Sequence, residues 1–382
     1  MSGHAGYDVI VLGLGGWGSA ITARLAQRGQ RVLGIDRYTP PHDKGSSHGH
    51  SRLIRVSSVE HPSYTPIMQR SYELWHDLEQ ATGLQVFTRT GGISFGPPDE
   101  EVIRDLPPAY EPYGLPYQWI ERDEARSRYP MLRLEPGEVV ILDESAGILH
   151  PERAVEAHLA LARQYGAELL LGAGETHWEA SAAAVHVRTE VGEYSADRLV
   201  LAAGAWMPDL LGYPLNLQVE RQVMLWWQPR SHPEWFRAGT LPWFIGACDP
   251  PYEIIYGVPD MDGEGVKFGM HRGGQLGHID AIERDILPED IAVVRGYIQR
   301  RMPELEGTLL NAKTCVYTNT PDRHFVIGSH PLEPRVVVAG GGSGRGFKFC
   351  AVIGEIVADL VIDGATRHDI ALLAPTRPAV RT

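Results

Sequence analysis

Three glycines, one acid and a handful of lysines carry the first chemical signals in this chain. Gly13, Gly15 and Gly18 stand at G-x-G-x-x-G spacing directly after the apolar run Val9 to Leu12. They open a helical segment that stops at Gly29, and a second apolar run, Val32 to Ile35, ends in Asp36. A strand, glycine turn, helix and acid-terminated strand in this register bind a dinucleotide. The first glycine permits the tight turn, the second lets backbone approach a pyrophosphate, and the third lets helix and strand pack closely. The helix N-terminus offers N–H groups and partial positive charge to phosphate. Asp36 stands where a carboxylate accepts hydrogen bonds from ribose hydroxyls. Lysine occurs only as Lys44, Lys267, Lys313 and Lys348 amid abundant arginine, so each is worth asking about.

These residues need a scaffold, and the pattern supplies one in pieces. After a polar, turn-rich loop from Thr39 to Arg52, helical spacing of Ile67, Ser71, Leu74, Trp75 and Leu78 predicts a helix from about Pro66 to Ala81. Thr90 to Phe95 reads as a strand leaving the nucleotide fold, and residues 97–145 lack any βαβ rhythm. The pattern then resumes. Pro151 suits the first turn of a helix ending at Gly166, Glu168 to Leu171 is a strand, and Val185 to Tyr194 a hairpin turning near Gly192. A buried strand from Arg198 ends in the small residues Ala203 and Gly204, where ligands bind at the carboxyl edge of a parallel sheet. From Glu220 to about Cys315, alternating aromatic patterns predict antiparallel strands. Finally Arg335 to Ala339 is a buried strand, Gly340 to Gly346 a glycine loop, and about Phe347 to Asp363 a helix stopped by Gly364. The expected fold is α/β (α+β). A discontinuous Rossmann-like nucleotide domain (1–88, 146–219 and 316–382) is interleaved with a substrate domain on a large mixed or antiparallel sheet (89–145 and 220–315).

Composition narrows the function. At 382 residues the chain is long for one core. A formal charge of −13 argues against nucleic acid or an anionic membrane as partner. No apolar run approaches the roughly 20 residues that span a bilayer, and Met1 to Gly6 runs into the first strand without a signal-peptide pattern. Cys248, Cys315 and Cys350 are too few and too scattered for a disulfide framework or a zinc site. The expectation is a cytoplasmic monomer without a metal site, acting on a small molecule.

NAD and FAD share the opening fingerprint. An NAD enzyme usually completes its doubly wound sheet in one stretch, whereas here the pattern breaks and returns twice, last at the C-terminus. That suits FAD, whose flavin lies between a nucleotide domain and a substrate domain. The loop Gly340 to Gly346, entering a helix, would set N–H groups beside the flavin and stabilise negative charge on the reduced ring.

Five stretches are similar to the monomeric sarcosine oxidase family, which includes N-methyltryptophan oxidase. They are the fingerprint, Gly45-Ser-Ser-His-Gly-His-Ser-Arg-Leu-Ile-Arg55, Gly265-Val-Lys-Phe-Gly-Met-His271, Thr314-Cys-Val-Tyr-Thr-Asn-Thr-Pro-Asp322 and Gly342-Ser-Gly-Arg-Gly-Phe-Lys348. The resemblance runs in order along essentially the whole chain. It implies FAD carried through an 8α thioether on Cys315, which needs a thiolate near cations; Lys313 and Arg323 lie close in sequence. Alone, a single cysteine reads as a small buried hydrophobe, as Cys248 and Cys350 still do. The resemblance implies a substrate carboxylate held by Arg55 and Lys348, a fork and a point charge. It places Lys267 near flavin N5, holding a water and stabilising superoxide electrostatically, with Lys267 inward if Val266 and Phe268 face the other way. His48 and Arg52 match basic residues beside the ring, with Ser46 and Ser51 in the same cofactor-binding stretch and Gly344, Arg345, Gly346 and Phe347 in the glycine loop. Arg52 and His271 join Lys267 as expected catalytic residues, and His271, Tyr317 and Tyr256 line the substrate cavity.

The chain departs from the family at three places: Ser47 and His50 replace histidine and aspartate, and Arg345 replaces a histidine. The expected activity is oxidation by O2 of sarcosine or a related N-alkyl amino acid, giving an imine, then glycine and formaldehyde from sarcosine, and H2O2. Alternatives are a cyclic imino acid such as pipecolate or proline, or a bulkier N-methyl or fructosyl amino acid if Trp226 to Trp243 lines the cavity. Others are a flavin dehydrogenase using a carrier, and a nicotinamide-dependent dehydrogenase. A non-catalytic nucleotide-binding module would not need Lys267, Arg55 and Lys348 together.

Overall fold

The computed structural model describes residues 6–248 and 252–381. Its first sheet has a parallel centre in which Tyr7–Leu12 lies between Val32–Asp36 and Gly192–Leu201. Glu168–Leu171 extends one side and Val336–Gly340 the other. Both faces of this centre are buried, which is why its strands are continuous apolar runs. Alternation still sorts them. Val9, Val11, Val200 and Val337 pack with the helices Gly16–Gln27, Tyr64–Thr82, Pro151–Gln164 and Cys350–Ile362, through Ile21, Leu74, Val155 and Ile353. Ile10, Leu12, Leu199 and Val338 face the opposite layer, with Val185 and Val187. Gly18 earns its place in the fingerprint by close approach: a Cβ there would sit 1.6 Å from the Gly13 carbonyl oxygen.

Nine strands form the second sheet. Gly92–Gly96 runs parallel to Trp243–Ala247, and the remaining pairs are antiparallel, so the sheet is mixed. Gln218–Trp227 and Leu309–Asn319 pair along their lengths. One face, with Leu225, Trp227, Phe244, Val266 and Phe268, buries itself against the helix Pro288–Arg301 through Val294 and Ile298. Residues one step out of phase, Met224, Trp226, Lys267 and Cys315, are turned to the other face. Lys267 is thus displayed between Val266 and Phe268, as the alternation requires. Arg52–Ile54, Phe87–Arg89 and Gly147–Leu149 make a small third sheet.

Several boundaries differ from the pattern reading. The helix expected from Pro66 spans Tyr64–Thr82, and the strand expected at Thr90 is Gly92–Gly96. The second arm of the Val185 hairpin and the buried strand from Arg198 are one continuous strand, Gly192–Leu201, whose first half pairs with the hairpin and second half with the parallel centre. Residues 97–145 are more ordered than their composition implied, adding Gln118–Ile120 and Val139–Asp143 to the second sheet. The last helix begins with a 3-10 turn, Gly346–Phe349, before Cys350–Ile362. Among the described residues no helix is long and apolar enough to cross a membrane.

Glu355 clamps the helical layer. Its carboxylate meets Arg70 at 2.8 Å, Arg24 at 3.5 Å, and both Arg367 and His368 at 3.0 Å. It is partly desolvated, yet bonds from His368 and the arginines hold its carboxyl well below the ordinary glutamate range. A depressed folded pKa stabilises above the unfolded value and is lost as pH falls through it. Glu355→Gln is therefore expected to cost about 3 kcal/mol near neutrality, because it leaves clustered cations unpaired. The same variant should show a shallower loss of thermal stability below about pH 4.3, the ordinary glutamate pKa. Equal melting temperatures for variant and wild type at pH 7 would show the cluster contributes nothing.

Candidate active site

A cavity of about 890 Å3 opens at the carboxyl ends of the parallel strands and reaches the free face of the second sheet. It is within the size range of cofactor and ligand sites. At one end lie Gly13, Gly15, Asp36, Ala203 and Gly204. The helix Gly16–Gln27 starts at Gly15 without a side-chain cap. Of its first N–H groups, Gly16 donates to Ser47 Oγ at 3.0 Å, while the first helical bond comes from Ser19 to Gly15. The Trp17 N–H thus precedes the helical ladder at the cavity, as an anion site at a helix N-terminus requires. Asp36 accepts the Leu14 N–H at 2.7 Å and the Tyr38 N–H at 2.8 Å, which fixes its carboxylate at the cavity wall. A glycine turn, an open helix end and an anchored acid fit the diphosphate and ribose of FAD.

Midway, cations converge on a loop. Arg52 donates to the Ser46 and Ser51 carbonyls at 2.7 Å each, and its Nη2 lies 3.6 Å from Cys315 Sγ. Lys267 donates to the Gly49 carbonyl at 2.8 Å, the Ser51 carbonyl at 2.9 Å and Ser51 Oγ at 3.1 Å. All three ammonium protons are therefore directed at this loop. Burial first, then the Arg52 charge, pushes the lysine pKa well below its usual range. Glu152, in the first turn of its helix, accepts the Gly49 N–H at 2.7 Å and pins the loop from outside.

At the far end the glycine loop meets the second sheet. A Cβ on Gly344, whose φ is +77°, would lie 2.7 Å from the Tyr317 ring and 2.8 Å from His271, so only glycine lets loop and sheet approach so closely. His271 Nδ1 is 3.2 Å from the Tyr317 hydroxyl. Burial, then the Arg272 and Arg323 charges, pushes His271 down to about 3, so it is neutral near pH 7. Burial raises Tyr256 to about 12 and Tyr317 well above the usual phenol range. Arg55 and Lys348 line the same space, and no carboxylate among the described residues lies within ion-pair distance of either. Burial, then Arg55 and Arg345, pushes the Lys348 pKa far down. Such an arrangement receives an anion.

Residues 8–360 match the model of the FAD dependent oxidoreductase family. The chain is 43% identical over 379 residues to the monomeric sarcosine oxidase of Streptomyces avermitilis, covering 98% of each. It belongs to the FAD-dependent oxidoreductase family. Within that family it is also 31% identical to the N-methyl-L-tryptophan oxidase of Yersinia pestis, covering 97% of this chain and 99% of that one. The open form of NikD, described as an unusual amino acid oxidase, superposes with a TM-score of 0.88 at 24% identity, covering 99% and 100% of the two chains, and supports the fold.

For an FAD-dependent oxidoreductase, several sequence expectations need correction. His48 is not a basic group on the cavity wall. It is 3% exposed, neither ring nitrogen has a partner, and burial with the Arg52 charge pushes it down to about 3. The cation at Cys315 is Arg52; Arg323 instead pairs with Glu253 at 2.5 Å, and Lys313 lies along the strand opposite Met224. Gly18 serves packing and does not line the cavity. Of the tryptophans in the 226 to 243 stretch, Trp243 reaches the wall, whereas Trp227 is core. The Ser47 departure supplies the bond to Gly16, and His50 turns outward to Glu264 at 2.6 Å. Trp17, whose indole donates to the Gly346 carbonyl at 2.9 Å, was missed, as were Glu60, Glu152 and Glu253. Only Glu152 had a usable signal, an acid just after a helix-opening proline.

Proposed function

We propose that this enzyme oxidises sarcosine or another small N-alkyl amino acid with O2, giving an imine that hydrolyses to amine and aldehyde, and H2O2. Glycine and formaldehyde are the products from sarcosine. The observation that carries this reading is a pair of cavity-lining cations, buried Lys348 and half-buried Arg55, with no carboxylate among the described residues in ion-pair distance, at the far end of a nucleotide cleft. The curated relatives named for sarcosine and N-methyltryptophan oxidation support it, since both substrates join a secondary amine to a carboxylate.

Bound in the cleft, the flavin supplies a two-electron acceptor for the carbon–nitrogen bond and a route for those electrons to oxygen. Arg55 and Lys348 hold the substrate carboxylate and so fix the amine against the cofactor. Tyr256, Tyr317 and neutral His271 shape the chamber and exclude water. No strong base stands among them, so positioning and positive potential do most of the work. In this proposal Cys315 carries the FAD covalently, Lys267 serves the oxygen step, and the molecule is a cytoplasmic monomer. The proposed domain division is 1–88, 146–219 and 316–382 for FAD, and 89–145 and 220–315 for substrate.

The test is a panel of secondary amino acids given to purified holoenzyme with peroxide and aldehyde assays. Sarcosine is expected to yield both in equal amounts. Lys348→Met is expected to raise KM about 100-fold, the cost of leaving a buried charge contact unmade. A KM within about threefold of wild type would place the carboxylate elsewhere. Turnover with an artificial acceptor but not with oxygen would make the enzyme a dehydrogenase.

A further inference from the structure

We propose that the ion pair between Glu60 and Arg345 is the specificity-determining wall of the substrate chamber, admitting an uncharged substituent and turning away a second carboxylate. This rests on the reading of Arg55 and Lys348 as the carboxylate subsite. Arg345 lies three residues before Lys348 in the glycine loop, and Glu60 five residues after Arg55 in the loop that follows Arg52–Ile54. All four side chains line one cavity.

Within that cavity, Arg345 and Glu60 occupy each other. Arg345 Nη1 is 2.7 Å from Glu60 Oε1, and its Nη2 donates to the Arg323 carbonyl at 2.6 Å. The second Glu60 oxygen accepts the Ser58 hydroxyl. The two side chains are only 18% and 14% exposed, so their charges act on the chamber through little water. Glu60 thus cancels the charge that Arg345 brings into the glycine loop.

The count of charges decides the selectivity. Of the three cations grouped at this end of the cavity, Arg55, Arg345 and Lys348, one is matched by Glu60, so two remain for one substrate carboxylate. A second carboxylate on the substrate would find Arg345 already engaged and would lie beside Glu60. Like charges brought together with little water oppose binding, which discriminates without any new attractive contact. The favoured substrates are therefore monocarboxylic secondary amines with small neutral substituents. N-alkylated acidic amino acids are rejected.

Binding of non-oxidisable anions to holoenzyme tests this without turnover. Acetate and malonate are titrated by calorimetry into wild type, Glu60→Gln and Arg345→Gln, each checked for flavin content. Wild type is expected to favour acetate. Glu60→Gln, which frees Arg345, should improve the malonate-to-acetate affinity ratio about tenfold or more. Arg345→Gln, which leaves Glu60 unmatched, should move the ratio the opposite way by a similar factor. If one variant does not yield holoenzyme, the other still decides, because the expected signs are opposite. A ratio within about twofold of wild type in either folded variant overturns the proposal. Failure of wild type to bind acetate, or acetate binding unaffected by Lys348→Met, would instead overturn the carboxylate subsite on which it rests.

Discussion

Cys315→Ser holoenzyme is expected to release all of its FAD on acid precipitation, while the wild-type pellet stays yellow. The thiol sits on the face of Leu309–Asn319 that shares the cavity with Met224 and is 3% exposed. The Arg52 guanidinium, 3.6 Å from Sγ, is itself locked by two backbone carbonyls. A cavity-facing sulfur beside a fixed cation is placed to act as a nucleophile, and a serine hydroxyl in the same place has no comparable reactivity. The expected contrast is all or none, readable by absorbance of pellet and supernatant. Flavin that stays bonded to the serine variant would assign the tether to another residue, and a colourless wild-type pellet would remove it altogether. Non-covalent FAD is still expected in the variant, because the glycine turn, helix end and Asp36 do not depend on the sulfur.

Lys267→Met is expected to slow reoxidation of the reduced enzyme by oxygen about 100- to 1000-fold, the range for removing one preorganised electrostatic group. Reduction by substrate should change by less than about tenfold, because the substrate's carboxylate is assigned to Arg55 and Lys348. The geometry gives this cavity-lining lysine a fixed position, with its three protons aimed at Gly49 and Ser51. Its pKa lies well below the lysine range through burial and Arg52. The charge is therefore present at low pH and lost as pH rises through that lowered value. Wild-type reoxidation should slow with rising pH at values below the ordinary lysine pKa of about 10.4, and the methionine variant should lack that limb. Stopped-flow measurement of the two half-reactions separates the possibilities. Equal slowing of both would remove Lys267 from the oxygen step.

The local alphabet of this fold was readable in the residue string. Alternation of Val9, Ile10, Val11 and Leu12 between two buried faces, the glycine spacing, and the terminal Asp36 depend only on periods of 2.0 and 3.6 and on steric demands that act within a few residues. Alternation also displayed Lys267 on the opposite face from Val266 and Phe268. Helix ends shifted by a few residues because capping and tertiary packing, not periodicity, set them. Partnerships were another matter. Arg52 reaches Cys315 across 263 positions, and Lys267 reaches Gly49 across 218. Nothing in a linear string ranks such pairs, so Lys313 and Arg323 looked nearer to the sulfur than Arg52 does. His48 has a basic residue type, but burial and then the Arg52 charge push it down to about 3, so it holds no proton even well below neutral pH. Arg345 stands 285 positions from Glu60, and only the fold sets the two charges against each other. Residue types and short-range periodicity thus determined the elements and the chemistry on offer. Tertiary folding decided which charges are matched and which stay open, because Coulomb energy depends on distance and desolvation that only the packed chain defines.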